Sequence, residues 1–363
     1  MKIAHLELGR HLYGGAEQVR YLLQGLQSDE HEHVLLTPPG SALHDWALAE
    51  EQPVVPIKFS GEHDLAFIIR LVRWLRRDRV DLLHVHSRRG ADWLGPIAGA
   101  LARVTTIVSR RVDNPPSRPL VWLMRNRYVR VICISDAIRG VLQDCGVDDE
   151  TLLTIRSAVD VTPFQALDSE GAEARLLGEP AQGPVIAVIA QLIERKGHRY
   201  LLMVLGGLLK KFPGLRVVFL GKGPLEETLK DEVIARGLDD CVIFAGFRDD
   251  LPDLLPAISL VVHPALTEGL GVSLLQAAAA GIPVVAFAAG GVREAIAHEH
   301  SGFLVRTGDE VALAAAIGRL LSDDELRRTF GDNAAKRVAR DFSVDTMVQR
   351  HSALYDVLAE ERL

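Results

Sequence analysis

Short apolar runs, punctuated by glycine and proline, recur along the chain with amphipathic stretches between them. This alternation constrains the fold more than any other feature. In the first half the runs are Lys2–Leu8, His33–Thr37, Leu82–His86, Thr105–Val108 and Val131–Ile134. In the second they are Val185–Ile189, Arg216–Leu220, Val242–Phe244, Leu260–His263 and Pro283–Phe287. Such runs read as strands buried on both faces, which means parallel strands covered by helices. Two series of them predict two doubly wound α/β domains. A length of 363 residues suits two units better than one. Between the series, residues 163–184 are polar and rich in small side chains, and form the expected linker. The domains are therefore expected at 1–165 and 166–343. Sheets of this kind bind ligands beyond the carboxyl ends of their strands, so the cleft between the domains is the expected site.

Composition narrows the function classes. Hydrophobic residues make up 48% and charged residues 25% of the chain, which excludes general disorder. Cys133, Cys145 and Cys241 share no metal-type spacing. A disulfide scaffold and a zinc ribbon are excluded, and a reducing compartment is expected. No export signal or membrane span is visible in the apolar segments, so a cytoplasmic location is expected, at most peripheral to a membrane. Net charge is −7, yet residues 58–139 hold 16 Lys and Arg against 7 Asp and Glu. That local excess suggests an anionic partner reached by the first half. Nucleic acid is not the expected one. In 64–79, Leu65, Ile68, Ile69, Val72 and Leu75 are expected to form one apolar helix face, with Arg70, Arg73, Arg77 and Trp74 around it. This helix either covers the sheet or lays its Arg-rich face on a membrane surface.

The segment His263–Gln276 (HPALTEGLGVSLLQ) carries the most chemistry. A strand ends at His263, a loop presents Glu268, and Gly269 and Gly271 open a helix. Free N–H groups and the positive end of a helix dipole make such a start an anion site. Glu268 and Gln276 are eight residues apart, roughly 12 Å if the whole interval is helical. A hexose, a diphosphate and a ribose together span about that distance. Glu268 would then meet the sugar, the helix start the diphosphate and Gln276 the ribose. The bland alternative makes Glu268 an N-terminal helix charge and Gln276 a surface amide.

With these residues in view, the sequence resembles the retaining glycosyltransferases of family 4, which have the two-Rossmann GT-B architecture. The resemblance runs over nearly the whole chain. Its marks are Tyr13-Gly14-Gly15-Ala16-Glu17, Asp81–His86 (DLLHVH), Ile134-Ser135, and Val159-Asp160 with Phe164. They continue with Lys196-Gly197-His198, Leu220–Pro224 (LGKGP), Phe244–Phe247 and Glu268–Gly271. The last are 281–285 (GIPVV), 290–294 (GGVRE) and Gly302–Val305. Each mark is weak alone; their order and spacing together are specific.

The resemblance implies two Rossmann-like domains, with the last segment, 344–363, packing back on the first. It implies transfer of a sugar from a nucleotide-diphosphate donor to an acceptor hydroxyl, with retained anomeric configuration and no metal or other cofactor. The nucleotide stays open between UDP and GDP. His86, Lys196 and Glu268 take the catalytic roles by this carry-over. Lys196 meets the diphosphate, Glu268 the donor-sugar hydroxyls, and His86 the donor sugar. Donor contacts are expected from Gly14, Gly15, Gln191, Gly221, Phe247, Arg248, Gly269, Leu270, Gly271, Val272 and Gln276. Arg88, Arg110 and Arg111 fall on the acceptor side, and the acceptor class implied is a saccharide, often lipid-linked, of lipopolysaccharide or surface-polysaccharide assembly.

Several positions depart from the family pattern. Gln276 replaces its second signature carboxylate, and Gln191 stands where an arginine is usual. Ser157-Ala158 replaces Asn-Gly, and Ser109-Arg110-Arg111 replaces Thr-x-His. Gln191 and Gln276 keep open a non-catalytic nucleotide-sugar-binding partner. The other alternative is a nucleotide-sugar epimerase of the same architecture, which would need acid–base groups around the sugar that the sequence does not place. A dinucleotide dehydrogenase is disfavoured, because LGRHLYGGAE lacks the G-x-G-x-x-G spacing.

Overall fold

A computed structural model of the chain describes every residue except Tyr13, Arg89, Ala166, Asp168, Arg362 and Leu363. Tyr13 of the glycine motif, Arg89 of the basic stretch, two linker residues and the last two of 344–363 thus lie outside the described residues. The chain divides into two compact units. One comprises Met1–Ala158 and Val344–Leu363, the other Val159–Ser343. The second unit starts a few residues before the 166 drawn from linker composition.

The first unit is built on seven parallel strands. They are β1 (Lys2–Leu6), β2 (Glu32–Thr37), β3 (Val54–Pro56), β4 (Leu82–Val85), β5 (Thr105–Arg110), β6 (Arg130–Cys133) and β7 (Leu152–Thr154). Their order is β3-β2-β1-β4-β5-β6-β7, so the winding reverses between β1 and β4. Ile3, Leu82, Ile107 and Ile132 of the sheet pack with Leu22 of the helix Gly14–Gly25. Met347, Leu354, Tyr355 and Leu358 of the helix Val344–Glu360 join the same core. Each of these large side chains contributes about 1.5–3 kcal/mol by leaving water, so the C-terminal helix is an integral layer of this unit.

The second unit has six parallel strands. They are β8 (Val185–Ile189), β9 (Arg216–Leu220), β10 (Val242–Gly246), β11 (Leu260–His263), β12 (Val284–Phe287) and β13 (Gly302–Val305). Their order is β10-β9-β8-β11-β12-β13, with the reversal between β8 and β11. Val188, Phe219, Val262 and Phe287 form its core with Leu201 and Leu205 of the helix His198–Lys211. Both sheets are therefore doubly wound, as the apolar runs predict. The run pattern misses β3, β7 and β13, and all three lie at sheet edges. Edge strands of three or four residues carry one ladder and need no long apolar run.

The helix expected at 64–79 spans Leu65–Arg77, with the Asp64 carboxylate accepting from Phe67 N–H at its start. Its buried face differs from the expectation. Phe67, Leu71, Trp74 and Leu75 are buried, whereas Leu65 and Ile69 are 67% and 54% exposed. Apolar residues flank both possible stripes of this helix. The stripe turned inward, beside the helix Ala91–Ala102, is the one with the largest side chains, because burying Phe67 and Trp74 removes the most apolar area. Among the described residues no helix is long and apolar enough to cross a membrane.

Candidate active site

In doubly wound sheets the ligand crevice opens where the strand order reverses. In the second unit that point lies between the carboxyl ends of β8 and β11, and Lys196 and Glu268 follow those two strands. A short 3-10 turn, Glu194–Lys196, ends at Gly197, which has φ +69°. A side chain at 197 would collide with the Pro264 carbonyl oxygen, 1.9 Å from its Cβ. Glycine there lets the two loops meet, and Leu266 N–H donates to Arg195 C=O at 2.8 Å. On the other side Gly291 N–H donates to Glu268 C=O at 3.0 Å. A Cβ on Gly290 or Gly291 would strike the carbonyl of Glu268 or Gly269, at 2.2 and 2.1 Å. The Glu268 loop is thus clamped between two backbones.

The Glu268 carboxylate is almost fully enclosed. Its Oε2 accepts from the Lys196 ammonium and from His263 Nε2 at 3.0 Å, and its Oε1 accepts from Gly269 N–H at 3.2 Å. Burial pushes its pKa up, but the His263 hydrogen bond and the Lys196 charge outweigh it and hold the group at about 2. His263 is itself kept neutral by burial, with a pKa below the usual histidine value. It therefore donates without adding charge. Sequence reasoning gave His263 no role, since it reads as the last residue of a strand.

Gly271, with φ +88°, caps the helix Val272–Ala279, whose first N–H groups have no intrahelical acceptors. Glu268 to Gly271 is an irregular turn, so the 12 Å figure for an unbroken helix does not apply. Only Val272 to Gln276 is helical, a rise of roughly 6 Å. Gln276 is half-buried on the same face as Val272 and Ser273. The loops after β8 and β9 also lie together. Gly221 packs on the Ala190 carbonyl, and Leu192 N–H donates to Lys222 C=O at 3.1 Å. Gln191 is exposed there. After β10, Phe247 is 64% exposed and the Arg248 guanidinium is taken up by Asp250.

In the first unit the reversal lies between β1 and β4, and four groups gather at their carboxyl ends. Gly14 and Gly15 are the first residues of a helix and do not form the free loop expected after β1. Their N–H groups therefore sit at a helix start, and a Cβ added at Gly15 would lie 3.6 Å from Arg111 Cδ. Arg110 and Arg111 follow β5. Arg110 is buried and donates to Asn114 C=O at 2.6 Å; Arg111 is half-buried and reaches Ser157 Oγ at 3.4 Å. Both keep a buried Nε without a partner among the described residues, and burial lowers the Arg111 pKa to about 10. Arg88 is exposed.

His86 follows β4 and is 3% exposed, and its Nδ1 has no partner among the described residues. His84 is saturated instead, through Tyr355 OH at 2.8 Å and Ser109 Oγ at 2.9 Å. His5, His84 and His86 bring ring nitrogens within 4.8 Å of one another, as a metal site would. Both nitrogens of His5 and both of His84 are engaged in hydrogen bonds, and only His86 keeps one free among the described residues, so the set does not offer three lone pairs to a cation. Glu7, directly after β1, was not singled out from the sequence. Its carboxylate is buried, accepts from Gly9 N–H at 2.9 Å, and has a pKa raised by burial to about 6.

Comparison with known proteins bears on this arrangement. Residues 13–162 match the model described as Glycosyltransferase Family 4, and residues 172–337 match Glycosyl transferases group 1. A D-inositol 3-phosphate glycosyltransferase of Corynebacterium kroppenstedtii is 33% identical over 83% of this chain and 67% of its own length. The Escherichia coli UDP-Gal:alpha-D-GlcNAc-diphosphoundecaprenol alpha-1,3-galactosyltransferase is 24% identical over 98% of this chain and 96% of its own. Among solved structures, Anabaena Alr3699/HepE in complex with UDP and glucose superposes with a TM-score of 0.86. It is 22% identical, over 98% of this chain and all of that one, a likeness of fold.

Proposed function

The chain belongs to glycosyltransferase family 4, the retaining enzymes that transfer sugar from a nucleotide sugar, and from that premise we propose how its residues do so. The donor diphosphate lies at the start of the helix Val272–Ala279, with Lys196 over it. The Lys196–Glu268 ion pair is the observation that carries this reading. A salt bridge enclosed at a strand-order reversal, beside a helix start, holds a cation for phosphate and a carboxylate for hydroxyls in one place. Arrival of the diphosphate draws Lys196 from Glu268 and frees a carboxylate oxygen to accept from the donor sugar. His263 and Gly269 N–H keep that carboxylate ionised and aimed throughout.

In the transfer step the bond from the anomeric carbon to the phosphate oxygen breaks. The acceptor oxygen bonds to the same face, and its proton passes to the departing phosphate oxygen. Negative charge builds on the diphosphate, where Lys196, the helix start and the Gly14–Gly15 amides offset it. His86 contacts the donor sugar, Gln276 the ribose, and Arg88, Arg110 and Arg111 the acceptor. The unpartnered Nε atoms of Arg110 and Arg111 support that last assignment, since buried donors without partners are costly and fit an anionic ligand.

The acceptor proposed is a lipid-linked saccharide of surface-polysaccharide or lipopolysaccharide assembly. The undecaprenol-linked acceptor in the name of the Escherichia coli relative supports it. So does the surface of the first unit. Leu65, Ile69, Arg73 and Arg77 fall on one exposed stripe of their helix, and the adjoining helices expose Trp93, Leu101 and Trp122. Apolar side chains ringed by arginines suit the headgroup region of an anionic leaflet. The test is nucleotide release from UDP- and GDP-sugars with lipid-linked and soluble saccharides, alongside co-sedimentation with anionic vesicles. Release stimulated by the lipid-linked acceptor, with vesicle binding lost on changing Arg73, Arg76 and Arg77 to Ser together, is expected. Full rate on a soluble acceptor with no vesicle binding at low salt overturns the lipid assignment. Donor binding without release indicates the non-catalytic partner, and a rearranged sugar the epimerase.

A further inference from the structure

Beneath His86 runs a chain of side-chain hydrogen bonds with a defined direction. His86 Nε2 lies 3.0 Å from His5 Nδ1, and His5 Nε2 lies 3.0 Å from His33 Nδ1. His33 Nε2 lies 3.0 Å from Asp29 Oδ2. The other oxygen of Asp29 accepts from Glu30 N–H at 2.8 Å and from Ser352 Oγ at 3.3 Å, so the carboxylate is anchored from the C-terminal helix as well. Asp29 titrates below the usual aspartate range; burial opposes this, but the His33 and Glu30 hydrogen bonds prevail. An ionised carboxylate only accepts, and each imidazole in the chain is held neutral by burial.

These facts determine every proton. His33 must donate from Nε2, leaving its Nδ1 to accept from His5 Nε2–H. His5 Nδ1 then accepts from His86 Nε2–H. His86 is left with a bare lone pair on Nδ1, the atom with no partner among the described residues. The nearby Arg111 charge further disfavours a protonated His86, as do His5 and His351. The His84 ring lies beside it, centroid to centroid 3.8 Å and tilted by 35°, with its own nitrogens occupied by Tyr355 and Ser109.

We propose that Asp29, His33 and His5 are positioning residues that fix His86 as an Nδ1 hydrogen-bond acceptor for a hydroxyl of the donor sugar. The inference rests on the reading of His86 as a donor contact, and it adds three residues that touch no substrate. A carboxylate three links away sets which nitrogen of His86 faces the sugar, much as a buried carboxylate orients the histidine of a hydrolytic triad.

The test reads tautomers directly, by long-range proton–nitrogen correlation on protein labelled with ¹⁵N-histidine. In the wild type, His86 is expected to show a bare Nδ1 and a protonated Nε2. In Asp29→Asn the amide can turn its NH2 toward His33, which permits the reversed chain, and a protonated His86 Nδ1 should appear. Ser352→Ala removes an Asp29 contact without altering the direction, and should leave the His86 signals in place. If Asp29→Asn fails to fold, His33→Gln is read in the same way. A protonated Nδ1 in the wild type, or an unchanged His86 on breaking the chain, overturns the proposal. UDP-glucose and GDP-mannose are then added to the wild type. A shift at His86 Nδ1, weakened at least fivefold in donor affinity by Asp29→Asn, supports the role toward the sugar. Tautomers as expected but unmoved by either donor overturn the donor reading of His86 while the chain itself stands.

Discussion

The two units reverse their strand order in the same way, yet they place opposite chemistry at the reversal. After β8 and β11 the second unit sets a charged pair, Lys196 and Glu268, against a helix start. After β1 and β4 the first unit sets neutral imidazoles and a carboxyl with a raised pKa. Burial acts on both. At Glu268 a cation and a hydrogen bond overcome it; among His5, His84 and His86 nothing does, and those rings stay uncharged. One topology therefore sets an enclosed ion pair at the reversal in one unit and uncharged, hydrogen-bonded imidazoles in the other, the contrast on which the proposed donor site rests.

Acid should separate the units most strongly. His5, His33, His84, His86 and His351 of the first unit all titrate below the usual histidine value because they are buried, His351 at about 4. Between the folded value and about 6.5 the unfolded chain binds more protons, so stability rises with pH across that interval. Each such group contributes fully above about 6.5 and loses that contribution as pH falls toward its lowered folded value; for His351 the loss runs down through about 4, on the order of 3 kcal/mol. Glu7 runs the other way: its raised pKa favours the folded state below about 4.5, and that support is lost as pH rises through about 6. In the second unit His198 and His263 are lowered, while Glu268 keeps its contribution until pH falls toward 2. Hydrogen exchange between pH 6.5 and 4 should open the first unit before the second. Simultaneous opening, or the second unit first, would break the comparison.

Removing the charge from the second reversal should cost activity. Glu268→Gln is expected to fold and to lose at least tenfold in turnover, about 1.4 kcal/mol, because the sugar hydroxyl and Lys196 both lose their anionic partner. Turnover and melting temperature, measured together, check this. Unchanged turnover would shift the chemistry away from Glu268. A smaller effect is expected at Gln276. An amide offers one acceptor oxygen where a carboxylate offers two, so Gln276→Glu should leave donor affinity equal or up to about threefold tighter. Strong weakening would show that the amide N–H makes a bond of its own.

Much of this arrangement is legible before any coordinates. Apolar runs between helices place the central strands, and the glycines after His263 place the start of the helix Val272–Ala279. What escapes has physical causes. Lys196 and Glu268 are 72 residues apart, and only the contact between their loops pairs them. Which stripe of helix Leu65–Arg77 is buried depends on side-chain size, which periodicity alone does not weigh. Glu7 and His263 end strands, where chemistry and core look alike. The imidazole chain left only a partial trace: His5, His33 and His86 each fall in or at the end of an apolar run, in the segments of three different strands. That His5 lies opposite His84 follows only from the β1–β4 register.

Calorimetric titration of Lys196→Ala against the wild type tests the central claim most directly, with UDP and uridine, and with GDP and guanosine, as ligands. Because a charge-assisted contact to phosphate is worth about 1.5–3 kcal/mol, the variant should lose at least tenfold in affinity for the nucleoside diphosphate that the wild type binds. Affinity for the matching nucleoside should change by less than about twofold, since a nucleoside carries no phosphate for the ammonium to meet. Equal losses for both ligands, or wild-type protein that binds neither diphosphate, would contradict the placement of the donor at the charged reversal of the second unit.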